Sequence, residues 1–205
     1  MRIQLFPLGP LETNCYLLVE GSDAVVVDPG GNPASLVQYM ADNKLRLAAI
    51  LNTHLHFDHV LGNAELAKAT GAPIYACPKD EYLLQSEVGS GGGFGLPKVP
   101  PFTYTALEEG RTTLMGLACE ALFTPGHTRG SLSYYFPSEG VLFAGDVLFY
   151  RSVGRADLPG GDAATLSDSI RRKLYTLPDA TVVYPGHGPS TTVLDEKRSN
   201  PFVVG

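Results

Sequence analysis

The chain has 205 residues, 44% of them apolar and 18% charged, a balance that suits one soluble domain able to bury a full core. Its net charge of −6 lacks the basic surplus of a nucleic-acid binder, which argues against DNA or RNA as the main substrate. No apolar run reaches the ~18 residues that span a bilayer, and the start, Met1-Arg2-Ile3-Gln4-Leu5-Phe6-Pro7, lacks the apolar core and cleavage site of a signal peptide.

The first half reads as β-rich. Residues 13–20 and 24–27 are predicted strands joined at Gly21-Ser22, and Asp28-Pro29-Gly30-Gly31 breaks the second. Helical spacing follows over 33–43, with Leu36, Val37 and Met40 on one face. Residues 48–52 read as a buried strand, 63–70 as a helix ending at Gly71, 73–76 as a short strand and 78–85 as a helix. Residues 89–101 are rich in glycine and proline and form a long loop, either a lid over a site or a surface loop. In the second half, 118–123, 132–136 and 141–144 read as strands, 165–177 as an amphipathic helix and 181–184 as a last strand. Two groups of strands with helices interspersed predict two sheets packed face to face with helices outside, in a single domain over 1–205.

Cys15, Cys77 and Cys119 are odd in number and far apart, with no Cys-x-x-Cys. They read as buried free thiols in a reducing compartment, so the expected location is the cytoplasm.

All five histidines fall in three short segments, Thr53-His54-Leu55-His56-Phe57-Asp58-His59, Thr124-Pro125-Gly126-His127-Thr128 and Tyr184-Pro185-Gly186-His187-Gly188. In an extended segment His54, His56 and Asp58 point to one side, which leaves Leu55 and Phe57 for the core. His59 follows as the chain turns. Imidazole and carboxylate suit zinc and related transition metals. His127, Asp146 and His187 share one plan: an apolar strand, then glycine, then the candidate ligand. Asp28 ends a buried strand and is a candidate acceptor for a ligand His N–H. Arg155 is a candidate anchor for a substrate carboxylate, or else a partner of Asp157 or Asp162.

THLHFDH at 53–59, PGHT at 125–128, AGD at 144–146 and PGHG at 185–188, in this order, closely resemble the metallo-β-lactamase superfamily. The resemblance implies an α+β fold, the αββα sandwich: two packed mixed sheets with helices on the outer faces. It also implies two divalent metal ions, zinc first and iron or manganese as alternatives. One would be held by His54, His56 and His127, the other by Asp58, His59 and His187, with Asp146 bridging. Aspartate at the bridging position, together with Gly154-Arg155-Ala156-Asp157-Leu158-Pro159-Gly160-Gly161-Asp162, resembles the short glyoxalase II-like hydrolases, which cleave thioesters such as S-lactoylglutathione. Two features depart from full-length glyoxalase II. Asp157 stands where that enzyme has tyrosine, and its helical C-terminal substrate domain is not expected here.

The implied chemistry is attack by a metal-bridging hydroxide, since metal lowers the pKa of water to about 7. Asp58 would orient it and hold a proton in transit. If all five histidines are ligands, none remains as a general acid. A thiolate, with a parent pKa of about 8.5, can leave unprotonated, whereas an amide cannot. A small-molecule thioester is therefore the expected substrate, with no nucleic-acid or membrane partner. The oligomeric state cannot be read from the sequence. The alternatives are a persulfide dioxygenase with one iron on His54, His127 and Asp146, a lactonase, or a metal-binding protein without turnover. Gly188-Pro189-Ser190-Thr191-Thr192 after His187 resembles the hydrolases.

Overall fold

Runs of aliphatic and β-branched residues closed by turn residues build the first sheet of the computed structural model, which describes residues 1–205 apart from the side chain of Phe94. The chain divides into two compact units, residues 1–107 with 114–116, and residues 108–113 with 117–205.

The first unit holds a six-stranded mixed sheet. Its strands, in spatial order, are β1 (Arg2–Leu8), β2 (Thr13–Glu20), β3 (Asp23–Val27), β4 (Arg46–Leu51), β5 (Ile74–Ala76) and β6 (Thr105–Ala106). The β1–β2 and β2–β3 pairs are antiparallel, and the remaining pairs parallel. The parallel pairs β3–β4 and β4–β5 are joined by helices α1 (Ala34–Asp42), α2 (Phe57–Val60) and α3 (Asn63–Thr70), because parallel strands need a crossover. Strand β2 is buried along seven of its eight residues, so both faces of the sheet are covered there. Leu36 and Met40 of α1 and Leu66 of α3 pack against Cys15, Leu17, Ala24, Val26 and Ile50.

The second unit is a six-stranded sheet in the order β14 (Thr191–Thr192), β13 (Val182–Pro185), β10 (Val141–Gly145), β9 (Leu132–Phe136), β8 (Leu117–Phe123) and β7 (Gly110–Leu114). A separate hairpin pairs β11 (Leu148–Phe149) with β12 (Ser152–Val153). Helices α5 (Ala163–Ser169) and α6 (Val193–Ser199) contribute Leu166 and Val193 to a cluster with Leu142, Ala144 and Val183. Strands β10 and β13 are parallel, β10 and β9 antiparallel, and β9 and β8 antiparallel. Strands β8, β10 and β13 therefore all end at one edge of this sheet, which is why the turns carrying His127, Asp146 and His187 lie together.

Three sequence expectations need correction. The segment Pro78–Gln85 is a 3₁₀ helix rather than an α-helix. The helix expected over 165–177 is α5 followed by one wide π turn, Ile170–Leu174. The glycine-rich stretch is not a structureless loop: α4 (Glu87–Ser90) enters it, and Gly91 and Lys98 bridge across it. Strand β1 escaped sequence reading because it is a mostly exposed edge strand containing Pro7, without hydrophobic alternation. Among the described residues no helix is long and apolar enough to cross a membrane.

Candidate metal centre

Of the four candidate ligands in the first unit, His54 and His56 follow the end of β4, and Asp58 and His59 lie in α2. Asn52, the residue after β4, is fully buried and pairs with the amide of Asn63 at the start of α3. Its Nδ2 also donates to the His59 carbonyl at 3.4 Å. The short turn 52–63 is thus tied to the sheet at both ends. Leu55 and Phe57 point into an apolar cluster with Val60, Ala76 and Leu83, but the extended run expected as far as Asp58 ends at His56, where α2 begins. His54, His56, Asp58 and His59 are all buried.

Hydrogen bonds fix which nitrogen each ring presents. The Asp28 carboxylate accepts from the Thr53 amide at 2.8 Å and the Thr53 hydroxyl at 2.6 Å, and Nδ1 of His59 lies 2.9 Å from it. A carboxylate accepts only, so His59 carries its hydrogen on Nδ1 and turns a lone pair on Nε2 toward Asp58 Oδ2, 3.5 Å away. The Thr53 hydroxyl has given its hydrogen to Asp28. It therefore accepts from His54 Nδ1 at 3.1 Å. That leaves His54 Nε2 as the second lone pair, 3.0 Å from His56 Nδ1. Thr13 donates its hydroxyl to Asp58 Oδ2 at 3.2 Å.

The second unit follows the same logic. His127 Nδ1 donates to the main-chain carbonyl of Arg155 at 2.7 Å. Its Nε2 then faces Asp146 Oδ2 at 3.7 Å, and His187 Nε2 lies at the same distance from that oxygen. With the His127 hydrogen on Nδ1, its Nε2 lone pair and the Asp146 carboxylate are two acceptors face to face, an arrangement that calls for a cation between them. Imidazole and carboxylate are donors suited to divalent transition metals.

Of the glycines that precede the ligands, Gly126 and Gly145 take positive φ, 130° and 52°, while Gly186 does not. A closer approach occurs at Gly154, where a Cβ would stand 1.8 Å from the Asp146 carbonyl and 3.2 Å from His127 Nδ1. The guanidinium of Arg155 is forked on Asp157 through two bonds of 2.7 Å, so it is engaged with the partner that was the alternative to a substrate carboxylate. That fork holds the exposed Asp157 carboxyl down to about 2. Burial pushes the Cys119 thiol up to about 12 and raises Cys15 well above its ordinary value, so neither is a ready nucleophile or ligand. The sequence did not single out Thr13, Thr53, Gly154 or Asp80. Thr53 and Gly154 lie within quoted motifs. Thr13 and Asp80, whose Oδ2 accepts from the Leu55 amide at 3.3 Å, lie far from them in sequence.

The sequence model of the Metallo-beta-lactamase superfamily matches residues 8–187. The chain belongs to this superfamily. A probable metallo-hydrolase, YqgX of Bacillus subtilis, is 38% identical over 100% of this chain and 99% of its own length. The hydroxyacylglutathione hydrolase GloC of Haemophilus influenzae is 38% identical over 99% of this chain and 98% of its own. The crystal structure of the BLEG-1 B3 metallo-β-lactamase superposes with a TM-score of 0.91 at 38% identity, covering 100% of both chains. TTHA1623, solved in a di-iron-bound form, gives 0.87 at 42% identity over 98% of this chain and 100% of that one. ETHE1 of Myxococcus xanthus gives 0.79 at 30% identity over 98% and 84%. The fold class is therefore the α+β metallo-β-lactamase fold with its two mixed sheets. Membership of this superfamily, with histidine and aspartate at the candidate positions of each unit, supports binding of divalent metal.

Proposed function

We propose that the chain is a metal-dependent hydrolase of thioesters, acting on S-acyl adducts of 2-hydroxy acids such as S-lactoyl thiols. One observation carries the reading: all five histidines lie in the three segments proposed to supply the ligands, and none lies outside them to protonate a leaving group. A thiolate leaves without that proton. The relative named hydroxyacylglutathione hydrolase, similar along nearly its whole length, supports the same class.

In this reading His54, His56 and His127 hold one ion, Asp58, His59 and His187 the other, and Asp146 both. Two ions bound there supply a nucleophile generated from water near neutral pH and a Lewis acid for the thioester carbonyl. The chain supplies the rest. Asp58 takes up and passes on the proton at its carboxylate, with Oδ2 oriented by the Thr13 hydroxyl. Asp28 keeps His59, and through Thr53 also His54, in the ligand tautomer. The test compares matched S-lactoyl thioester and lactamide substrates on protein whose metal content has been measured. Two equivalents of metal and at least a ~10³-fold preference for the thioester are expected. Equal rates on the two substrates would sink the reading.

A second reading is favoured by the likeness to ETHE1 at 30% identity. It is a single-iron dioxygenase using the residues His54, His127 and Asp146. One equivalent of iron and oxygen consumption with a persulfide would select it.

A further inference from the structure

Within the second unit, the hairpin of β11 and β12 turns through Tyr150 and Arg151 beside His187. The Phe149 ring lies 6.5 Å from the His187 ring at 74°, an edge-on contact. His187 is the most open of the seven ligands, with its side chain 30% exposed against 13% for Asp146. Among the second unit's candidate ligands, the His187 side chain is therefore the one that solvent reaches most.

The tip is built more firmly than an ordinary surface turn. Arg151 sits at φ 56°, a left-handed conformation that costs a non-glycine residue energy and persists only where neighbours enforce it. The enforcing group is Glu196 of α6, which is 0% exposed. Its Oε2 accepts from the Arg151 amide at 3.0 Å and from Asn200 Nδ2 at 2.8 Å, and its Oε1 accepts from the Thr191 hydroxyl at 2.6 Å. Asn200 donates in turn to the Ser152 carbonyl at 3.0 Å. A buried carboxylate and a buried amide thus hold the main chain of the tip at Arg151 and Ser152.

That grip presents a defined chemical surface. Tyr150 is 51% exposed. The Arg151 guanidinium lies 5.4 Å from the centre of the Tyr150 ring, and its Nη1 donates to the Asp195 carbonyl at 3.0 Å. A neutral carbonyl leaves the cation's charge uncompensated. Arg155, by contrast, is neutralised by its fork on Asp157. An aromatic face with a fixed cation suits a carboxylate on a flexible chain, because the guanidinium takes the anion and the ring takes the aliphatic part.

We propose that the Tyr150–Arg151 tip is the specificity element for the thiol carrier and selects carriers bearing a carboxylate. The proposal rests on the thioester reading. The test uses S-lactoyl esters of glutathione and of N-acetylcysteamine, which share the acyl group and differ in carrier charge, on wild type, Arg151→Asn and Arg151→Lys. Asparagine tolerates the left-handed backbone, and a thermal melt confirms folding. The kcat/KM ratio of glutathione to N-acetylcysteamine ester is expected to fall ~10-fold in Arg151→Asn, mainly through KM, and to recover in part in Arg151→Lys. Titration calorimetry with the non-hydrolysable S-methylglutathione reads the same contact without turnover, and its affinity should fall ~10-fold in Arg151→Asn. An unchanged ratio together with unchanged S-methylglutathione affinity overturns the proposal. If wild type cleaves neither ester yet binds S-methylglutathione in an Arg151-dependent way, the thioester reading falls and the carrier site stands.

Discussion

Asp28 stands at φ 52° at the end of β3, fully buried, with two donors from Thr53 and one from His59 on its carboxylate. Removing it leaves three buried donors without their acceptor and lets both rings choose the wrong tautomer. Asp28→Ala is therefore expected to weaken metal binding ~10–100-fold, measured by chelator competition, with less effect on far-ultraviolet circular dichroism. Metal affinity within a factor of two of wild type would mean that the carboxylate only shapes the turn. Gly154→Ala is a steric case. Its methyl would meet the Asp146 carbonyl at 1.8 Å, a main-chain atom that cannot swing aside. A loss of ~1–3 kcal/mol in stability is expected, read by chemical denaturation. The five histidines stood out in the sequence because the residue is rare and its spacing repeats. Asp28 could be suspected from Asp-Pro-Gly after a strand. Its three-way hydrogen bonding could not, since Thr53 and His59 meet it only when β3 and β4 lie parallel.

At the scale of elements, the ligand turn after β4 is backed by the segment 76–102. Leu55 and Phe57 rest on Ala76, Leu83 and Val99, and the Leu55 amide, between the two ligands His54 and His56, donates to Asp80. Asp80 is 0% exposed, so its contact is shielded from water and screened little. Asp80→Ala should loosen the main chain between His54 and His56. A broadened visible spectrum of the cobalt-substituted protein and a several-fold weaker first metal-binding step are expected, and Asp80→Asn, which keeps an acceptor oxygen, should restore most of both. If the asparagine variant is no better than alanine, the carboxylate acts through its charge and not through this hydrogen bond. Nothing in Pro78-Lys79-Asp80-Glu81 marks Asp80 off from its exposed neighbour Glu81. The 3₁₀ winding of that segment decides which acidic side chain turns inward, and that winding is set by packing rather than by local propensity.

For the whole molecule, each unit sets acceptors against one another when no cation lies among them: Asp146 faces Nε2 of His127 at 3.7 Å, and Asp58 faces Nε2 of His59 at 3.5 Å. Metal that binds the folded chain and not the unfolded one adds about 2.7 kcal/mol at a free concentration of 100 Kd. In a chain of 205 residues this raises Tm by roughly 5–10 °C. The sign with pH follows from proton competition. Metal binds the unprotonated imidazole, so protons compete with it, and the stabilisation is present above the ordinary His value of ~6.5 and is lost as pH falls below it. The gap in Tm between metal-loaded and chelator-treated protein is therefore expected to be full near pH 8 and to close toward pH 5, read by paired thermal melts with metal content measured at each pH. A gap that stays constant across that range would mean that the metal is held by groups that do not compete with protons there, and the histidine assignment would fall with it.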